Sequence, residues 1–255
     1  MLKLVKYEFR KNIYGIAVMA GILALAQIYF MYAYFIASDR DKATVGAMIL
    51  FFCAIICFFM VFAFGISTYS RELTNRTSYL VFMTPNKAIK IIGSKLLFTF
   101  VNGIMVAVVL MLLGLWDLKL LLKLWGEEVS MIEMIFEMLR NFGFNAVEIA
   151  YSIVGSVFSF LVSFFMAVTL AYFCITLTTT ILQNKKIKGL ISVVLYLAVI
   201  FIANKIGDIL PVLYEQPSTM AQASFSQLPR MLFFLILIAS AVVGTSELLE
   251  RKVSL

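Results

Sequence analysis

The chain has 255 residues, of which 63% are hydrophobic, with a mean hydropathy of +1.01 and a net charge of +7. No water-soluble fold needs so large an apolar fraction, so the composition predicts an all-α integral membrane protein. Histidine is absent, which excludes Ser-His-Asp and Cys-His catalysis and the common zinc sites. We therefore expect no enzyme activity and no metal site. The positive charge is divided among short loops, which favours anionic membrane lipid over nucleic acid as its partner.

The first twelve residues, MLKLVKYEFRKN, predict an amphipathic helix with Leu2, Val5 and Phe9 on its apolar face. A short helix of this kind, with cations along its flank, lies in the membrane interface rather than crossing it. Six apolar stretches follow, most of them near the 20 or so residues that a bilayer requires. We predict one transmembrane domain over residues 1–255, with spans at about 13–37, 46–70, 91–116, 149–182, 189–206 and 230–249.

The basic residues indicate the orientation of these spans. The amino terminus, the segment 71–95, the segment 185–188 and the carboxyl terminus together carry 14 of the 21 Lys and Arg residues. Because Lys and Arg are retained on the cytoplasmic side, both termini are predicted to be cytoplasmic. Two long connections then lie outside: 117–148, with a predicted surface helix at 131–142, and 207–229, which is too polar to cross.

The segment from Arg71 to Lys95 joins the second and third spans and is the longest cationic interruption of the apolar chain. Residues 70–83 predict a short amphipathic helix. The helix ends at the Thr84-Pro85 step, because the residue before a proline avoids helical dihedral angles. One face of this helix holds Leu73, Thr77 and Leu80. The neighbouring face holds Arg76, Tyr79 and Met83.

Polar groups inside the spans are few, and each has two interpretations. Gln27, midway along the first span, makes either an interhelical hydrogen bond or a substrate contact. A stripe of small hydroxyl side chains in the fourth span favours close helix packing, with the wall of a translocation path as the alternative. The stripe consists of Ser152, Ser156, Ser159 and Ser163. Ionisable side chains are nearly absent, with Glu148 and Lys205 near span ends, which disfavours ion-coupled transport.

The order of these elements resembles the membrane subunits of ATP-binding-cassette exporters of the ABC-2 class, in their small Gram-positive form. The resemblance covers a basic amphipathic first helix, six spans with both ends inside, and a cytosolic helix between spans two and three. In that family a segment of the form E…T…L…P precedes a lysine that opens the third span. The corresponding residues here are Glu72, Thr77, Leu80, Pro85 and Lys95.

The resemblance implies a permease subunit in the bacterial cytoplasmic membrane whose segment 71–85 is a coupling helix. This helix would dock on a separate ATPase subunit, which would bind the ATP and Mg, so that this chain needs no cofactor. A second permease chain, identical or related, would complete the path. The implied docking residues are Arg71, Glu72, Leu73, Arg76, Thr77, Tyr79, Leu80, Met83 and Pro85. Their alternative role is packing against the inner ends of the spans.

An interior without fixed charges favours a hydrophobic or amphipathic cargo, such as an antimicrobial or toxin peptide. The connection between spans five and six is shorter and more polar than the re-entrant pair in larger family members. A different class of function stays open beside export: a non-transporting scaffold or immunity protein that recruits a cytosolic partner.

Overall fold

A computed structural model describes residues 2–37, 39–74, 88–125, 146–181, 187–214, 222 and 225–253. These ranges are helical throughout apart from short connections, and they contain no strand. The helices are α1 (Leu2–Lys11), α2 (Ile13–Phe35), α3 (Arg40–Thr74), α4 (Ala88–Trp125), α5 (Ala146–Ile181), α6 (Lys188–Ile209) and α7 (Leu228–Val253). Six of them, α2 to α7, are long and apolar enough to cross a membrane. The predicted all-α membrane protein with six spans is thereby confirmed.

Helices α3 and α4 extend beyond the spans predicted from hydropathy. Helix α3 begins at Arg40, where the Asp39 carboxylate accepts a hydrogen bond of 3.0 Å from the Asp41 amide and lies 3.4 Å from the Lys42 ammonium. The amide hydrogen bond, assisted by the lysine, holds the pKa of Asp39 below its usual value. A capped, charged first turn of this kind is helical without being apolar. Helix α4 likewise continues to Trp125, past the predicted end at 116.

The described chain forms two compact units, of which the first comprises residues 66–96 and 142–255. Its core lies where α5 packs on α6 and α7. The buried side chains of this core are Val162, Met166, Leu170, Ala203, Phe234 and Ala241. Helices α5 and α7 approach closely at Gly244, where an added Cβ would lie 3.1 Å from the ring of Phe173. Small residues allow helices to approach in this way.

A row of threonines occupies the second half of α5. Their hydroxyls donate to backbone carbonyls three or four residues earlier in the same helix, at distances of 2.8–3.1 Å. The row consists of Thr169, Thr176, Thr178, Thr179 and Thr180. Because these hydroxyls are satisfied within the helix, their methyl groups are free to pack against neighbouring helices.

The structure describes residues 207–214, 222 and 225–229 of the predicted outer connection 207–229. Hydrogen bonds and an ion pair join the two ends of this connection. Arg230 on α7 lies 2.9 Å from the Asp208 carboxylate and donates to the Asn204 amide oxygen at 3.2 Å. The Leu213 amide donates to the Ser226 carbonyl at 3.2 Å. The other predicted outer element, the surface helix at 131–142, lies outside the described residues.

The second unit comprises residues 2–65 and 97–141. In α1, Phe9 meets Phe98 edge to face at 4.8 Å, and Glu8 is buried with 5% of its surface exposed. Helices α3 and α4 approach closely at Gly65, where an added Cβ would lie 2.7 Å from the Thr99 side chain. The apolar face predicted for α1 therefore carries a buried acid beside its aromatic residue.

Candidate functional site

The candidate site lies at the two helix ends that flank the predicted coupling segment. Glu72 is in the last turn of α3, and Lys95 is in the third turn of α4. The Lys95 ammonium lies 2.6 Å from a Glu72 carboxylate oxygen, and the two side chains are 2% and 11% exposed. In a poorly hydrated site such a pair attracts strongly, and separating it would leave an uncompensated charge. The pair therefore holds the two helix ends together.

A tyrosine pair attaches the same end of α3 to α5. Tyr69 is 2% exposed and stacks on Tyr172 with ring centroids 4.2 Å apart and an interplanar angle of 19°. The Tyr69 hydroxyl also bonds to the Thr176 hydroxyl. Since Thr176 donates its own proton to the Tyr172 carbonyl, the tyrosine is the donor. One turn of α3 thus contacts two other helices: Glu72 pairs with Lys95 of α4, and Tyr69 packs on Tyr172 of α5.

Three of the predicted docking residues belong to this described end of α3. Arg71 is exposed, Glu72 forms the ion pair and Leu73 is buried. Leu73 is therefore covered and not available to a partner, whereas Arg71 is available at the surface. The other predicted docking residues lie outside the described part of the chain: Arg76, Thr77, Tyr79, Leu80, Met83 and Pro85.

The four serines predicted as a stripe do not share one environment in α5. The Ser159 hydroxyl donates to the Gly155 carbonyl at 2.7 Å and contacts the Met231 sulfur at 3.6 Å. Ser156 and Ser163 are exposed on the surface of the chain. The Ser152 hydroxyl oxygen is buried and has no hydrogen-bond partner among the described residues. The packing interpretation therefore fits Ser159, and the exposed pair remains available to a path or a partner.

Gln27 forms an interhelical hydrogen bond, which is one of the two roles predicted for it. Its side-chain amide donates to the Asp117 carboxylate on α4 at 2.6 Å, and Asp117 is 5% exposed. Asp117 was predicted to lie in the outer connection 117–148, but it is buried. The sequence pointed to Glu148 and Lys205 as ionisable side chains near span ends. The structure shows two further ionisable side chains, Lys95 and Asp117, which are buried.

The described residues contain no group of His, Cys, Asp and Glu side chains that could hold a metal ion. What the fold and these contacts define is a multi-pass α-helical membrane protein with a buried ion pair between two of its spans. No family model, no curated protein and no solved structure matches the chain.

Proposed function

We propose that this chain is the permease subunit of an ATP-driven exporter of the ABC-2 class, which moves a hydrophobic or amphipathic cargo across a bacterial cytoplasmic membrane. Segment 71–85 is its coupling helix and docks on a separate ATPase subunit that binds ATP and Mg. A second permease chain completes the path. The observation that carries the proposal is the buried ion pair between Glu72 and Lys95.

The ion pair supports this function because a docking segment transmits force only if both of its ends are fixed. Glu72 near the end of α3 and Lys95 near the start of α4 are paired with each other, so the two helix ends that flank the segment are held together. The stack of Tyr69 on Tyr172 continues the attachment into α5. A displacement of the segment by a partner would therefore move three helix portions of one compact unit together.

Charge supports the cytoplasmic placement of this segment and the nature of its partner. The segment 71–95 carries five Lys and Arg residues against one acid, which favours retention on the cytoplasmic side. Arg71 is exposed at its start, so it can meet an acidic groove on a soluble protein. Electrostatic complementarity of this kind accelerates and orients docking.

A test of docking compares two apolar-to-acid substitutions. Leu80→Asp places a charge on the predicted docking face, and Ile187→Asp makes the same change at an exposed residue of another predicted cytoplasmic connection. The chain is purified from its native membranes, and co-purifying ATPase activity is measured in proteoliposomes. We expect Leu80→Asp to weaken partner binding at least tenfold, because apolar anchors dominate docking energy. Ile187→Asp should bind normally.

If the Leu80→Asp chain co-purified with normal ATPase activity, segment 71–85 would not be the docking segment. Absence of any co-purifying ATPase would favour the scaffold or immunity alternative.

Transport itself is tested with cysteines at Ser156 and Ser163, which are exposed, in a background without the three natural cysteines. A cysteine at the packed Ser159 serves as the control. An exporter predicts that labelling of the exposed positions by a water-soluble thiol reagent changes with nucleotide. Labelling that never responds to nucleotide would indicate a protein that does not transport.

A further inference from the structure

Three exposed cations, Lys3, Lys6 and Arg10, form a cationic stripe along α1. At 3.6 residues per turn they fall within an arc of about 60° and extend over about 10 Å of the helix. None of the three forms an ion pair with a carboxylate in the described part of the chain. Glu8, the only acid of the helix, is 5% exposed and lies on the opposite side. The stripe therefore presents three positive charges that no described acid compensates.

Another side of α1 is held against a helix of the second unit. The Phe9 ring meets the ring of Phe98 on α4 with centroids 4.8 Å apart, and Phe98 is 1% exposed. Phe98 lies within the predicted span 91–116. At the end of α1, Asn12 alone separates it from α2, which is long and apolar enough to cross a membrane. These two attachments keep α1 at the edge of the bilayer, with the cationic stripe on its uncovered side.

Two exposed tyrosines accompany the cationic stripe. Tyr7 is 62% exposed and lies one helical turn from both Lys3 and Arg10. Tyr14 is 83% exposed and follows Arg10 by four residues, in the first turn of α2. Tyrosine has an apolar ring and a polar hydroxyl, and it is enriched where a bilayer meets water. Cations and exposed tyrosines on a short helix at the bilayer edge therefore fit the phospholipid headgroup layer better than a groove on a soluble protein.

We propose that the cationic stripe of α1 binds the headgroups of anionic phospholipids. The ammonium groups of Lys3 and Lys6 and the guanidinium of Arg10 donate to phosphate oxygens, and the planar guanidinium can donate two parallel hydrogen bonds to one phosphate. Near a membrane that contains anionic lipid, each cation strengthens binding about fivefold. The site requires only a bilayer with anionic lipid, so it does not depend on the chain being an exporter subunit.

The test uses two photoreactive lipids with the same diazirine-bearing acyl chain, an anionic phosphatidylglycerol and a zwitterionic phosphatidylcholine. The full chain is placed in nanodiscs of mixed phosphatidylcholine and phosphatidylglycerol that contain a trace of one probe. After irradiation, mass spectrometry measures the labelling of the peptide that contains α1. We expect phosphatidylglycerol to label it roughly fivefold more than phosphatidylcholine. The ratio should fall as salt is added, because salt screens exposed charges.

Three variants separate recognition of the headgroup from general contact with lipid. In the triple variant Lys3→Gln, Lys6→Gln and Arg10→Gln, the labelling ratio should fall to about one. Lys3→Arg, Lys6→Arg and Arg10→Lys together keep the charge and should keep the ratio. Lys119→Gln with Lys123→Gln removes two exposed lysines, four residues apart, from α4 of the same unit. This matched control should leave the ratio at α1 unchanged.

Equal labelling of α1 by the two probes in the unaltered chain would overturn the proposal. So would an unchanged ratio in the triple glutamine variant with Cys57, which is completely buried in the same unit, still protected from a thiol reagent. If Cys57 becomes reactive in that variant, the single variant Lys6→Gln takes its place and should lower the ratio. Protection of α1 from both lipids by a co-purifying protein would show that the stripe docks a protein, and the proposal would be wrong.

Discussion

Replacing Lys95 by methionine removes the cation of the buried ion pair while keeping an unbranched side chain. Lys95 and Glu72 are 2.6 Å apart and only 2% and 11% exposed, so the substitution leaves a carboxylate in a site that water reaches poorly. Removing one partner of a buried pair costs about 3–5 kcal/mol. At about 2–4 °C per kcal/mol for a chain of this size, we expect the unfolding temperature to fall by roughly 6–20 °C.

The natural cysteines provide the assay for this prediction. Cys174, in the same unit as the ion pair, is completely buried, so a thiol-reactive fluorophore reports its exposure as the detergent-solubilised chain is heated. The control is Lys90→Met, an exposed lysine on the same helix, for which a change within about 0.5 kcal/mol is expected. Adding Glu72→Gln to Lys95→Met should recover most of the loss, because no charge is then left buried. Equal unfolding temperatures for Lys95→Met and Lys90→Met would refute the inference that the buried ion pair holds α3 and α4 together.

Three further substitutions test the packing by thiol labelling on heating. Cys57, which is completely buried in the second unit, reports on the two glycine variants, and Cys174 reports on Tyr69→Phe. Gly65→Ala brings a Cβ to 2.7 Å from the Thr99 side chain and should destabilise by about 1–3 kcal/mol. Gly114→Ala, with nothing within 4 Å, should stabilise by roughly 0.5–1 kcal/mol, and equal effects of the two would contradict the close approach. Tyr69→Phe keeps the ring stack but loses the bond to Thr176, and should cost about 1 kcal/mol. No change in Tyr69→Phe would mean that this hydrogen bond contributes nothing.

The six spans could be predicted because apolar runs of about 20 residues report directly on burial in lipid. Hydropathy does not report where backbone hydrogen bonding stops, and this is why the ends of α3 and α4 could not be predicted. The capped turn at Asp39 and the continuation of α4 to Trp125 are polar or mixed in composition yet helical. A local cap decides the first boundary, and its signal in the sequence is the run of alternating charge that begins at Asp39.

Some residues of the candidate site could be predicted from the sequence, but their contacts could not. Glu72 and Lys95 were identified as positions of one motif, but their pairing depends on how α3 and α4 pack, which no local pattern specifies. Asp117 was missed because an acid at the end of an apolar run was interpreted as part of a loop. A glutamine inside a span needs a hydrogen-bond partner, so Gln27 was the available signal for a polar residue on a neighbouring helix.

The threonine row of α5 has a consequence for how the protein is made. Each hydroxyl of the row is bonded to the backbone of its own helix, so these threonines present no unmet hydroxyl to the insertion machinery or to the hydrocarbon. The half of α5 that carries the threonines therefore needs no partner from α6 or α7 to satisfy these hydroxyls when it enters the bilayer. Valine substitutions along the row should then leave the efficiency of insertion unchanged, because the hydroxyls were never exposed to lipid as free donors.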